Sequence, residues 1–119
     1  KKIPVTLKGE TIYYTGPTPA KPGEVIGSCG PTTSSRMDDF VPVLLKHGLL
    51  GMIGKGERSA ETAGAIKKAR AVYFIAPGGA GAYLSEKVKE SKIAAYEDLG
   101  TEAIRRLVIK DFPAIVSIT

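Results

Sequence analysis

Gly27-Ser28-Cys29-Gly30-Pro31-Thr32-Thr33-Ser34-Ser35-Arg36-Met37-Asp38 runs from small residues straight into a periodic apolar stretch. It reads as a loop feeding a helix, and that reading organises the rest of the chain. Unpaired N–H groups at a helix start attract anions. Hydroxyls from Thr32, Thr33, Ser34 and Ser35 crowd the same spot, and Arg36 adds a planar fork that grips a carboxylate or phosphate with two parallel hydrogen bonds. With Pro31 in the first turn, Thr32 and Arg36 fall four apart on one helix face. The pattern suits a small anionic ligand; a Ser/Thr-capped helix with a surface arginine is the alternative.

Downstream of the loop, Met37, Phe40, Val41, Leu44 and Leu45 repeat at three- and four-residue steps, as a buried helix stripe does. Pro42 is expected to kink or split that helix and Gly48 to end it. Leu49-Leu50-Gly51-Met52-Ile53-Gly54 reads as a strand entering a turn, Ser59 as the cap of a helix over 60–69, and 71–76 as a strand buried on both faces. Pro77-Gly78-Gly79-Ala80-Gly81-Ala82 turns the chain into a third helix reaching about Lys89. Strands are predicted over 93–96, 106–110 and 114–118, with a polar turn at Glu97-Asp98-Leu99-Gly100. Upstream, Thr11-Ile12-Tyr13-Tyr14-Thr15 is a strand, Gly16 to Gly23 an irregular loop and Glu24-Val25-Ile26 a second short strand. This order implies an α/β domain with a mixed sheet and helices packed on it. If their strands share one sheet, the glycine loops at 27–31 and 77–82 open on one crevice.

The 119 residues suit one domain over 1–119, and 43% hydrophobic residues supply a core that, without tryptophan, rests on aliphatic side chains. A formal net charge of +5 favours anionic partners. The lysines are scattered, with Lys67-Lys68 the one internal doublet, so a nucleic-acid stripe is not expected. A single cysteine, Cys29, forms no internal disulfide and holds no metal cluster, which points to a cytoplasmic protein with no metal ligands of its own. No run approaches the roughly 18 apolar residues that span a bilayer. Lys1-Lys2-Ile3-Pro4 lacks the apolar region of a signal peptide; the abrupt start leads us to expect an N-terminal segment upstream.

Lys55, between Gly54 and Gly56, presents a point charge to an anion, or is a solvated turn residue. Gly51-Met52-Ile53-Gly54 also echoes the GxxG loop of a KH domain, but Glu57-Arg58-Ser59 stands where that fold wants an aliphatic helix. The 77–82 loop lacks the spacing of a dinucleotide or P-loop motif. His47, beside Gly48, fits the negative end of a helix. With His47 so placed, no Ser-His-Asp or Cys-His arrangement forms around Thr32 or Cys29. Glu97 and Asp98 are adjacent, which suits turn or cap residues better than a carboxylate pair.

Gly30-Pro31-Thr32-Thr33-Ser34-Ser35-Arg36-Met37-Asp38 resembles the signature of the class I, iron–sulfur fumarate hydratases and L-tartrate dehydratases, in their C-terminal domain or β subunit. Ile12-Tyr13-Tyr14, Gly48 to Gly56, Ala71-Val72-Tyr73-Phe74 with Gly78-Gly79-Ala80, and Tyr96 to Ile104 resemble further blocks in the same order. The resemblance implies a swivelling β/β/α domain like the mobile domain of aconitase. It also implies reversible hydration of fumarate to malate or, alternatively, dehydration of tartrate to oxaloacetate. A 4Fe-4S cluster is expected in a partner α subunit and not on this chain, with a small dicarboxylate as substrate. By the same resemblance Thr32 is the catalytic base, while Arg36, Lys55 and Thr33 bind the substrate; a partner carboxylate takes the proton onward. An Arg-Asp-x-x-His-Lys segment that fuller members carry upstream is absent from these residues. Nucleic acid and membrane are not expected partners; a second copy of the chain is left open, as is a non-catalytic anion- or nucleic-acid-binding module.

Overall fold

Met52 and Ile53 are neighbours on one strand yet point into two different cores, as successive strand residues do. That strand fixes the layering. The structure, a computed structural model, describes residues 5–119; Lys1-Lys2-Ile3-Pro4, which carry the signal-peptide reading, lie outside the described residues. β1 (Thr11–Tyr13), β2 (Gly51–Gly54) and β3 (Val72–Ile75) are parallel neighbours, and β6 (Ile115–Ile118) closes the sheet antiparallel to β3. A 3₁₀ helix (Ser34–Phe40) running into α1 (Val41–Lys46) connects β1 to β2, and α2 (Ala60–Lys68) connects β2 to β3. Val41 and Ile66 of these helices meet Met52 and Tyr73 in the larger core. On the opposite face Leu84 of α3 (Gly81–Ser85) packs on Ile53 and Ala76. β4 (Val88–Ala95) and β5 (Ile104–Ile109) form a separate antiparallel hairpin. It is seated through Val88 and Leu107 on Ile26 and Cys29. The architecture is the mixed-sheet α/β arrangement expected.

Local chemistry explains most boundaries. Ser59 accepts a hydrogen bond from the Thr62 amide and caps α2. Gly48 takes φ +91° after α1, where an L side chain is strained. Pro42 stands in the first turn of α1, so it splits the expected helix into a 3₁₀ and an α segment.

Five expectations need correction. The helix after the glycine loop begins at Ser34 and not at Pro31; Pro31 and Thr32 lie outside it, and Thr33 before it is extended. Phe40 leaves the buried stripe and is 53% exposed, because three residues per turn shift a stripe reckoned at 3.6. Glu24-Val25-Ile26 is a bend without a partner strand; the Glu24 amide closes a turn onto the Lys21 carbonyl. α3 stops at Ser85, and Val88-Lys89 already belong to β4, where buried Val88 anchors the hairpin. In β3 Val72, Phe74 and Ile75 are half-buried; the strand buried at every position is β2.

Candidate functional site

The chain leaves the carboxyl ends of β1, β2 and β3 along one edge of the sheet, where α/β sheets open a crevice. After β1 it loops out and returns alongside itself. The Thr18 amide donates to the Ser28 carbonyl (3.0 Å), Tyr13 Oη to the Cys29 carbonyl (2.6 Å) and Thr15 Oγ1 to the Gly30 carbonyl (2.7 Å). Gly27 is essential to this return, since a Cβ there would strike the Thr18 carbonyl. The Cys29 amide then donates to the Gly81 carbonyl (3.1 Å), and the backbones of Gly30 and Gly81 lie side by side: a Cβ on Gly30 would sit 3.5 Å from Gly81 Cα. The two glycine loops thus meet at the edge of one sheet.

Thr32, Thr33 and Lys55 are brought together by backbone pairing. The Lys55 amide donates to the Thr32 carbonyl (3.1 Å) and the Ser34 amide to the Lys55 carbonyl (3.0 Å), which makes a parallel bridge between Thr33 and Lys55. Thr32 is half-buried. Its amide and its hydroxyl both donate to the Tyr14 carbonyl, at 2.8 and 3.1 Å. Thr32 is therefore no helix cap: the capping position is Thr33, whose side chain makes no capping hydrogen bond. Nor do Thr32 and Arg36 share a helix face, because Thr32 precedes the helix. Arg36 instead follows Thr33 by three residues, one 3₁₀ turn. Arg36, Thr33 and Lys55 are exposed, and neither cation is in an ion pair among the described residues. Lys55 runs past the Pro77–Ala82 loop, with its Cδ 3.7 Å from where a Cβ on Gly78 would lie.

Beneath these residues is a buried polar layer. Tyr73 Oη lies 2.7 Å from both Ser34 Oγ and the Gly56 carbonyl. A carbonyl only accepts, so Tyr73 donates to Gly56 and accepts from Ser34. Tyr73 thereby ties the end of the Lys55 turn at Gly56 and the start of the 3₁₀ helix at Ser34 to β3. Gly54 leaves the room required: a Cβ there would collide with Ser34 Oγ and come within 2.9 Å of Tyr14 Cδ2. Gly51-Met52-Ile53-Gly54 is strand interior and not a loop, which removes the KH comparison.

The sequence reading missed Arg58 and Asp38. Arg58 Nε donates to Asp38 Oδ1 at 2.7 Å, and its side chain has no solvent exposure against 14% for Asp38. The second carboxylate oxygen accepts the Ser59 amide at 3.0 Å. The guanidinium lies 4.8 Å from the Tyr73 ring centroid and 5.3 Å from that of Tyr14, and reaches Tyr14 Oη at 3.4 Å. Burial alone would raise the Asp38 carboxyl; the Ser59 amide and the Arg58 guanidinium outweigh it and hold the group below the usual carboxylate value. Burial opposes the Arg58 charge, but its bonds to Asp38 and Tyr14 push it above its ordinary value. The available signal was the Arg-Ser pair three residues after Lys55, next to a helix cap.

Among the described residues no group of three or more His, Cys, Asp and Glu side chains is placed to hold a metal ion. Cys29 is buried, and burial pushes its thiol pKa up, away from the thiolate a metal takes. The residues present do not fit an iron–sulfur cluster. His47 Nδ1 is hydrogen-bonded to the Val43 carbonyl at 2.9 Å, at the end of α1 as read. Glu97 and Asp98 open an exposed 3₁₀ turn between β4 and β5. No helix of the described residues is long and apolar enough to cross a membrane.

A family model described as Fumarase C-terminus matches residues 1–119. The anaerobic class I fumarate hydratase of Escherichia coli (strain K12) is 39% identical over 118 residues, 98% of this chain and 22% of its own length. The aerobic class I fumarate hydratase of the same organism is 38% identical over 116 residues, 96% of this chain and 21% of its own length. A protein of Methanocaldococcus jannaschii named as an L(+)-tartrate dehydratase subunit beta is 34% identical over 123 residues, 98% of this chain and 63% of its own length. The chain thus spans about a fifth of the fumarate hydratases it matches.

Proposed function

This chain belongs to the Fumarase C-terminus family, and from that premise we propose that it is the substrate-gripping part of an iron–sulfur hydro-lyase that hydrates fumarate reversibly to malate. The observation that carries the reading is the crevice edge, where exposed Arg36 on the 3₁₀ helix and Lys55 on the turn after β2 are joined through Thr32–Ser34. Two cations in fixed register suit a diacid with a carboxylate at each end. In this reading Arg36 takes one carboxylate with its fork and Lys55 the other as a point charge, with the Thr33 hydroxyl beside them.

Thr32 is the group proposed to move the proton. Its hydroxyl hydrogen is committed to the Tyr14 carbonyl, so the oxygen turns lone pairs elsewhere to accept. A carbonyl takes no proton onward. Net transfer needs a further group, which we assign to a carboxylate outside this chain. The 4Fe-4S cluster is likewise assigned to a partner α subunit or α region, since no ligand set for it exists among the described residues. The assembled enzyme is proposed to be cytoplasmic.

Fumarate is favoured over tartrate by the 39% and 38% identity to the two Escherichia coli fumarate hydratases, against 34% to the tartrate dehydratase subunit. L-tartrate dehydratase is the second reading, because Arg36 and Lys55 would meet the carboxylates both substrates share. The test is an anaerobic assay of the full-length protein assembled with its cluster-bearing part, using fumarate, malate and L-tartrate. Fumarate hydration is the expected result. Turnover of tartrate alone would move the assignment to the second reading, and turnover of neither would overturn both.

A further inference from the structure

Arg36 sits on the 3₁₀ helix and Lys55 on the turn after β2, and two staples fix one segment against the other. The first is the backbone bridge of Lys55 with Thr32 and Ser34. The second lies beyond both cations: Asp38, two residues after Arg36, is bonded to Arg58, three residues after Lys55, at 2.7 Å. One staple alone would leave the two segments free to pivot; two set their separation. The Arg58 guanidinium is in no position to touch a ligand. Its side chain has no solvent exposure, and its nitrogens face Asp38, Tyr14 Oη and the Met52 sulfur between the Tyr14 and Tyr73 rings.

We propose that Asp38 and Arg58 are a positioning pair that sets the spacing of Arg36 and Lys55 and so selects the length of the diacid the site accepts. The proposal rests on the hydro-lyase reading for its substrate. Its physical content is narrower, namely that the ion pair acts on ligand fit through two residues it does not contact. Arg58→Lys keeps the charge but loses the fork that reaches Asp38 and Tyr14 Oη together. Glutamate at 38 keeps the charge and adds one methylene to the staple.

The experiment compares Arg58→Lys and Asp38→Glu in the full-length protein assembled with its cluster-bearing part. Steady-state kinetics with malate are paired with calorimetric binding of succinate and glutarate, two unreactive diacids that differ by one methylene. Each variant is expected to raise KM for malate by about tenfold or more while kcat moves far less, and Asp38→Glu to narrow the preference for succinate over glutarate. A lowered Tm with unchanged KM and unchanged preference would overturn the proposal and leave the pair as scaffold. If Arg58→Lys does not assemble, Asp38→Glu decides by the same readouts. If the wild type turns over neither fumarate nor tartrate, the hydro-lyase reading fails. Succinate affinity then judges the pair: about tenfold or more lost in the variants supports it, while equal affinity, or no wild-type binding, overturns it.

Discussion

The corner around Thr32, Lys55 and Gly81 is tied by hydrogen bonds between segments far apart in the chain. The β4–β5 hairpin bonds along its own two strands and meets the rest of the molecule chiefly through apolar contact. Arg106 to Glu10, at 3.3 Å and exposed on both sides, is its one ion pair among the described residues. In the corner a displaced atom leaves a buried donor or acceptor without a partner, at about 1–3 kcal/mol. In the hairpin most side chains face water and a change is absorbed there. The corner is built to hold positions, and the hairpin to cover a flank of the core at Ile26 and Cys29.

The largest effect that separates the two regions is expected at Thr32. Thr32→Val keeps the shape and removes the hydroxyl that donates to Tyr14. If the hydroxyl moves the proton, kcat of the assembled enzyme falls by roughly 10²–10⁴, the usual range for lost acid–base help, while substrate still binds. Single-turnover kinetics with a melting curve on the same protein check this. Wild-type turnover would confine Thr32 to holding the loop.

The next effect is on stability. Gly54→Ala places a methyl group against Ser34 Oγ and Tyr14, and overpacking of this kind costs about 1–3 kcal/mol. Val108→Thr, on a hairpin residue 47% exposed, is expected to stay within about 0.5 kcal/mol. Urea denaturation of the two variants gives the contrast directly; equal losses would erase it.

A smaller effect concerns acid. The folded state holds the Asp38 carboxyl below its unfolded value of about 3.9. Its contribution is therefore complete above that value and is lost as pH falls through the lower, folded one. Asp38→Asn should flatten the acid limb of a stability–pH curve below about pH 4 and leave its neutral limb sloped as before. An unchanged acid limb would show that Arg58 does not hold the carboxylate charged.

How far the sequence reveals this depends on the kind of cause. The cap at Ser59 and the stop at Gly48 were legible, because each follows from a local rule about one residue type; β2 was legible as a strand, but the full burial was assigned to β3 instead. The two glycine loops do meet, but not by the expected route: 24–26 is no strand of the sheet, and the loops are joined by the Cys29 amide bonding the Gly81 carbonyl. The helix start was misplaced because Pro31 is as much at home outside a helix as in a first helical turn, and pairing with Lys55 and Tyr14 decides for the former. The 3₁₀ geometry that exposes Phe40 has no local signature. Arg58 was missed for a deeper reason: a charged residue reads as solvated unless its partners are known, and Asp38, Tyr14 and Tyr73 are brought to it only by the fold.

The central claim is that Arg36 and Lys55 grip the two ends of a diacid, and Arg36→Lys tests it most directly. The charge is kept and the two-pronged geometry is lost. A charge-assisted hydrogen bond is worth roughly 1.5–3 kcal/mol, so kcat/KM of the assembled enzyme for malate is predicted to fall about 10- to 150-fold. Near-native kcat/KM would contradict the account, because it would leave the arginine without a carboxylate to hold.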